Sequence, residues 1–104
     1  MKLRYDPEAL RRFCRERGIA RLELFGSALR DDFGAGSDVD LLCTLREDPK
    51  LKCGLFEWMD IQFQLEAIFD RPVDLVSRWA IERSRNERRK HSILRHTLPL
   101  YAEG

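Results

Sequence analysis

The most constraining stretch of this chain is Phe25-Gly26-Ser27, ten further residues, and then Asp38-Val39-Asp40-Leu41. Side chains on a strand alternate, so Asp38 and Asp40 share one face. Val39, Leu41 and Cys43 share the other face and can pack on helices. Two like charges on one face repel, and burying such a pair without a cation is costly. Asp74 repeats the design between Val73 and Leu75. If the two strands are neighbours, three carboxylates converge.

Gly26-Ser27 complements that arrangement. A strand over 19–25 stops there, and a short helix over 28–33 follows. Glycine allows a phosphate close to the backbone. Free N–H groups at a helix start, with the Ser27 hydroxyl, can bind phosphate oxygens. Arg30, one turn on, adds positive charge. Oxygen ligands suit Mg²⁺, which a few carboxylates hold together with substrate phosphates. The conjunction therefore predicts a two-metal phosphoryl-transfer site on Asp38, Asp40 and Asp74, with Gly26, Ser27 and Arg30 on the phosphates.

The rest of the chain reads as alternating helices and strands. Asp6-Pro7-Glu8 is a helix start, with Asp as cap and Pro at the first helical position. Leu10, Phe13 and Cys14 have helical apolar spacing, and Gly18 ends that helix. Leu22 and Leu24 alternate with Arg21 and Glu23 in the first strand. The second strand spans 38–45, a polar loop covers 46–54, and a helix covers 55–70. Phe56, Met59, Phe63, Ala67 and Ile68 lie on one side of that helix. Arg71-Pro72 leads into a third strand over 73–77. A basic helical segment covers 79–97, and Leu98-Pro99-Leu100-Tyr101 is an apolar tail suited to docking.

Length and composition agree. With 104 residues, 43% hydrophobic and 36% charged, the expectation is one globular domain spanning 1–104. No apolar run approaches the ~18–20 residues of a membrane helix. The N-terminus has no signal-peptide pattern. Cys14, Cys43 and Cys53 are odd in number and lie in or beside apolar stretches, which fits reduced thiols in the cytoplasm. The net charge of +1 hides an asymmetry: +4 over 1–21, −7 over 22–77 and +5 over 78–95. Nucleic acid is disfavoured as a partner, because no recognition motif accompanies the basic segment.

These residues resemble a known family. Phe25-Gly26-Ser27 with Asp38-Val39-Asp40 is similar to the signature of the DNA polymerase β-type nucleotidyltransferase superfamily. The run from Leu24 to Asp32, with Ser37 to Leu42, resembles the minimal nucleotidyltransferases encoded beside HEPN-domain ribonuclease toxins. Arg71 to Val76 and Leu98 to Tyr101 continue the likeness over nearly the whole chain. The resemblance implies an α/β (α+β) nucleotidyltransferase fold: a small mixed sheet with helices on one face and the acidic site on the other. It implies ATP as donor and two Mg²⁺ ions, with Asp38 and Asp40 on both metals and Asp74 on the one bearing the acceptor oxygen. It also implies a HEPN-type toxin as partner and an antitoxin role by AMP transfer to a tyrosine. Leu29 stands where the family has a small residue, and Asp31 where it has glycine.

Size favours a protein acceptor, since so small a domain lacks room for a second deep pocket. Two other readings use the same residues. One is an antitoxin that works by binding alone. The other is a small-molecule nucleotidyltransferase whose acceptor pocket forms on dimerisation. A homo-oligomer and a hetero-complex are both compatible with the sequence.

Overall fold

The computed structural model describes residues 3–29, 38–46 and 54–103. Helix α1 (Pro7–Glu16) begins as its sequence dictates: the Asp6 carboxylate accepts from the Glu8 N–H at 3.0 Å, and Pro7 opens the first turn. Leu10 and Cys14, four apart, are its buried residues. Gly18 at φ +70° turns the chain out of the helix. Strand β1 (Ile19–Leu24) follows, then a 3₁₀ turn over Gly26–Leu29. The rest of the short helix expected over 28–33, and most of the polar loop over 46–54, lie outside the described residues.

Strand β2 (Val39–Leu45), helix α2 (Leu55–Phe69) and strand β3 (Val73–Ser77) form a β–α–β unit with parallel strands. Helices α3 (Arg78–Glu82) and α4 (Glu87–Leu94) carry the basic segment. The apolar tail becomes strand β4 (Leu98–Ala102), antiparallel to β1. The sheet order is β3-β2-β1-β4, with β1 also antiparallel to β2. Among the described residues, no helix is long and apolar enough to cross a membrane.

One sheet face carries the main core. Leu22, Leu24, Val39, Leu41, Cys43, Val73 and Leu75 pack there against Leu10 and Cys14 of α1 and Ile61, Leu65 and Phe69 of α2. A shift in the β1–β2 register between Ile19 and Arg21 lets Ile19 and Leu22 both point inward, although they are three positions apart. On the second face Phe25 and Leu42 pack on Ile81 of α3 and Ile93 of α4. The sheet is thus covered by α1 and α2 on one side. The other side is shared between α3, α4 and the aspartates that alternation puts there.

Two features of burial do not follow from the sequence pattern. Of the five residues placed on one side of α2, Phe56, Met59, Phe63 and Ala67 are exposed on its outward side, whereas Ile68 turns partly inward and packs against the core. The inward side is Ile61, Leu65 and Phe69, with Trp58 partly buried beside them. Glu23, which alternates with Leu22 and Leu24, is nonetheless buried, with 1% of its surface accessible. Cys14 and Cys43 are buried in the core. Cys53 lies outside the described residues.

Candidate active site

The site is built by the strand ends. Beyond β1 the Phe25 N–H donates to the Asp40 carbonyl at 3.1 Å, so pairing with β2 persists to the edge of the glycine turn. Gly26 then takes φ +65°. This left-handed conformation is the reason glycine stands there, and a second constraint reinforces it. A Cβ on Gly26 would lie 2.6 Å from Asp40 Oδ2. The bare glycine backbone therefore forms one wall beside the Asp40 carboxylate.

The parallel pairing supplies the second carboxylate. Asp40 and Asp74 are direct register partners, between the pairs Val39–Val73 and Leu41–Leu75. Neighbouring strands are ~4.8 Å apart, so the two aspartates stand abreast on one face. Two hydrogen bonds fix that register. Val39 N–H donates to the Pro72 carbonyl at 2.9 Å. The Glu66 carboxylate of α2 accepts from Val73 N–H at 2.9 Å. Asp40 is half-buried, whereas Asp74 and Asp38 are exposed. Asp38 immediately precedes β2.

Asp38 does not close a tight trio with the other two. Among the described residues, no three His, Cys, Asp or Glu side chains are grouped to hold a metal ion by themselves. The pair is open to solvent at the strand ends, and its donors are all oxygens. That fits a hard divalent cation whose coordination is completed by substrate oxygens and water. The backbone of Ser27 lies within the 3₁₀ turn, but its side chain is outside the described residues, as is Arg30.

Sequence alternation misses one residue of the site's face. Glu23, partnered with Leu42 across β1–β2, shares that face with Phe25. Its carboxylate accepts from Arg78 Nη1 at 2.7 Å and Thr97 Oγ1 at 2.9 Å, and pairs with Arg21 Nε at 3.2 Å. It thereby ties β1 to the start of α3 and to the approach to β4. The available signal was Phe25, two residues on: an apolar neighbour on the same side marks that side as covered. A separate open groove of about 770 Å³ lies beside α1 and β4, lined by Arg11, Arg15, Arg46 and Tyr101 among others. Arg46 follows the far end of β2 from Asp40, so this groove does not adjoin the aspartates.

The comparisons agree with this geometry. The family model described as "Nucleotidyltransferase domain" matches residues 7–99. No curated protein matches the chain significantly. Among solved structures, one described as a minimal nucleotidyltransferase is 30% identical, with TM-score 0.64, covering 89% of this chain and 87% of its own. A toxin-antitoxin structure with AMP-PNP superposes with TM-score 0.66 at 15% identity, over 94% of this chain and 74% of the other. A Shewanella oneidensis complex of tri-AMPylated HEPN toxin with MNT antitoxin gives TM-score 0.57 at 16% identity, over 93% and 70%. The chain belongs to the nucleotidyltransferase domain family and has the fold of its minimal members.

Proposed function

We propose that this chain is an antitoxin that transfers AMP from ATP to a hydroxyl, a tyrosine's, of a HEPN-type toxin, in the cytoplasm and with Mg²⁺. The observation that carries the reading is the Asp40–Asp74 pair abreast on parallel strands beside the positive-φ Gly26. The structural neighbours that contain AMP-PNP or an AMPylated HEPN toxin supply the class of donor and acceptor.

In this reading Asp38, Asp40 and Asp74 hold two Mg²⁺ ions, which neutralise phosphate charge and lower the cost of ionising the acceptor hydroxyl. The residues of the chain do the positioning. Gly26 leaves the backbone open to the β- and γ-phosphates, and Ser27 and Arg30 hold them. Asp74, more exposed than Asp40, meets the incoming acceptor. The acceptor oxygen attacks the α-phosphorus, the bond to the β-phosphate oxygen breaks in line, and pyrophosphate leaves. The acceptor proton departs to solvent or a carboxylate.

The test mixes the purified chain, a HEPN-domain toxin, Mg²⁺ and α-labelled ATP, followed by mass spectrometry of the toxin. AMP on a toxin tyrosine, absent with Asp40→Asn, supports the proposal. A toxin that is bound and inhibited but unmodified would establish an antitoxin acting by binding alone. Label on a small hydroxyl compound and none on protein would establish the small-molecule enzyme.

A further inference from the structure

The outward face of α3 and α4 concentrates positive charge. Residues 83–95 hold six lysines and arginines against one acid, Glu87. Solvated surfaces ordinarily intersperse the two signs. Both helices turn their apolar sides inward, since Ile81 and Ile93 pack on Phe25 and Leu42. Arg88, His91 and Arg95, at i, i+3 and i+7, therefore share the outward side of α4, and all three are exposed. Arg85, in the link between the helices, is also exposed. Glu82 and Glu87 are taken by Arg78 and Lys90. Among the described residues, Arg85, Arg88, Arg89 and Arg95 have no acidic partner.

An aromatic ring stands within this charge. Trp79 precedes Ile81 by two residues, so it lies on the outer side of α3, and it is 64% exposed. The Arg83 guanidinium sits 4.2 Å from the ring centroid, and its Nη1 donates to the Trp79 carbonyl at 3.3 Å. The ring is thus held in place and still open to solvent. These features decide between occupants. A protein interface has an apolar centre depleted in charge. Among the described residues of α3 and α4, Trp79 is the one large apolar side chain exposed, and arginines follow it. Arginine forks suit phosphates, and an open aromatic ring stacks an unpaired base.

We infer that the outward face of α3 and α4 binds single-stranded nucleic acid without regard to sequence, with phosphates on Arg88 and Arg95 and a base on Trp79. Reading bases requires a recognition motif, whereas sequence-independent binding requires only cations and a stacking ring. Arg88 and Arg95 are about 10 Å apart along α4, so one strand of nucleic acid can engage both. Helix α3 begins directly after β3, at the far end of that strand from Asp74. Phosphates held by the arginines therefore keep clear of the aspartates, which would repel them. The inference goes beyond AMP transfer and uses none of the residues assigned to it.

Fluorescence anisotropy of labelled oligouridylate and oligothymidylate, about 12 nucleotides long, tests this on the full chain without ATP, Mg²⁺ or a partner protein. The two strands tell RNA from DNA. Wild type should bind with a Kd of about 1–100 µM at physiological salt, and more tightly at low salt. Log affinity should fall against log salt with a slope of about −0.7 per phosphate engaged. Arg88→Gln with Arg95→Gln should weaken binding at least about tenfold and make that slope shallower by about 1.4. Trp79→Ala should weaken binding about five- to a hundredfold with the slope unchanged, because a stacked base carries no charge. The replaced side chains are exposed, and all the variants should melt close to wild type. If wild type binds neither strand at low salt, the inference is overturned. Trp79→Ala binding as well as wild type also overturns it, and displacement by polyglutamate would then assign the face to acidic surfaces. If Asp40→Asn changes the affinity and the arginine variant does not, the oligonucleotide sits at the aspartates, and the inference is again overturned. Each of these failures leaves the proposed AMP transfer standing, since its assay contains no nucleic acid.

Discussion

Gly26 and Asp40 are matched to each other: at its positive φ, Gly26 leaves a space that the Asp40 carboxylate fills to within 2.6 Å of where a Cβ would stand. The carboxylate cannot retreat freely, because the Asp40 carbonyl accepts from Phe25 N–H and its strand pairs on both sides. Gly26→Ala therefore meets two penalties, an L-residue in the left-handed region and a clash with Oδ2. The expected cost is about 1–3 kcal/mol. At 104 residues that corresponds to a fall in melting temperature of roughly 4–8 °C per kcal/mol. Nucleotide transfer should fall about a hundredfold, since the carboxylate is pushed off its position. A variant that melts and reacts like wild type would show that the contact is not constraining.

Asp74 offers the converse separation. It is exposed, so Asp74→Asn should change stability by no more than about 0.5 kcal/mol. Its register with Asp40 predicts a large effect on chemistry, a loss of about tenfold to a thousandfold in kcat with a little-changed KM for ATP. Equal loss of stability and activity would instead mean that Asp74 serves the strand rather than the reaction.

Much of the scaffold was legible because local chemistry and tertiary role coincide. Asp6, Pro7 and Gly18 bound α1 by capping and backbone preference alone. Val39, Leu41 and Cys43 alternate against Asp40 because one face of β2 meets helices and the other meets the site. The inward side of α2 was not legible, because the helix is apolar on both sides. Trp58, Ile61, Leu65 and Phe69 compete with Phe56, Met59 and Phe63, and periodicity identifies the helix without choosing between its sides. Glu23 was hidden for another reason. Its partners Arg78 and Thr97 are 55 and 74 residues away in sequence, and no local pattern reports that distance.

Glu23 also carries a stability prediction. Removing a buried partner of an ion pair is costly mainly through what it leaves unpaired, about 3–5 kcal/mol where the remaining charge is fully buried. In Glu23→Ala, Arg21 and Arg78 are left facing a cavity, but both retain contact with solvent. The expected loss is therefore smaller, about 1–3 kcal/mol. Arg21→Ala should cost less than about 1 kcal/mol, since that arginine is half-exposed and Glu23 keeps Arg78 and Thr97. Denaturant unfolding of the two variants should preserve this order. The reverse order would relocate the stabilisation from Glu23 to Arg21.

Cys14 supplies a pH dependence. Burial in the core pushes its thiol up from 9.0 to about 12. The cause is desolvation, which disfavours the thiolate in the folded state only. Below pH 9 both states hold the proton, and the group's contribution to stability is fully present. Between pH 9 and 12 the unfolded chain ionises while the folded chain does not, so this contribution is lost as pH rises, at about 1.4 kcal/mol per pH unit. Other titrating groups bend the same curve, and Cys14→Ala leaves nearly all of them in place. The alanine variant should start lower at about pH 8, because a buried side chain has been shortened. Its stability should then decline less steeply than wild type between about pH 9 and 10.5, narrowing the gap by about 1–2 kcal/mol. Urea midpoints across this range measure the two slopes. Parallel slopes would mean that the thiol ionises in the folded state as readily as in the unfolded one. Alkylation provides an independent reading at about pH 8: Cys14 should react with iodoacetamide only as fast as the chain opens, and sub-denaturing urea should accelerate it.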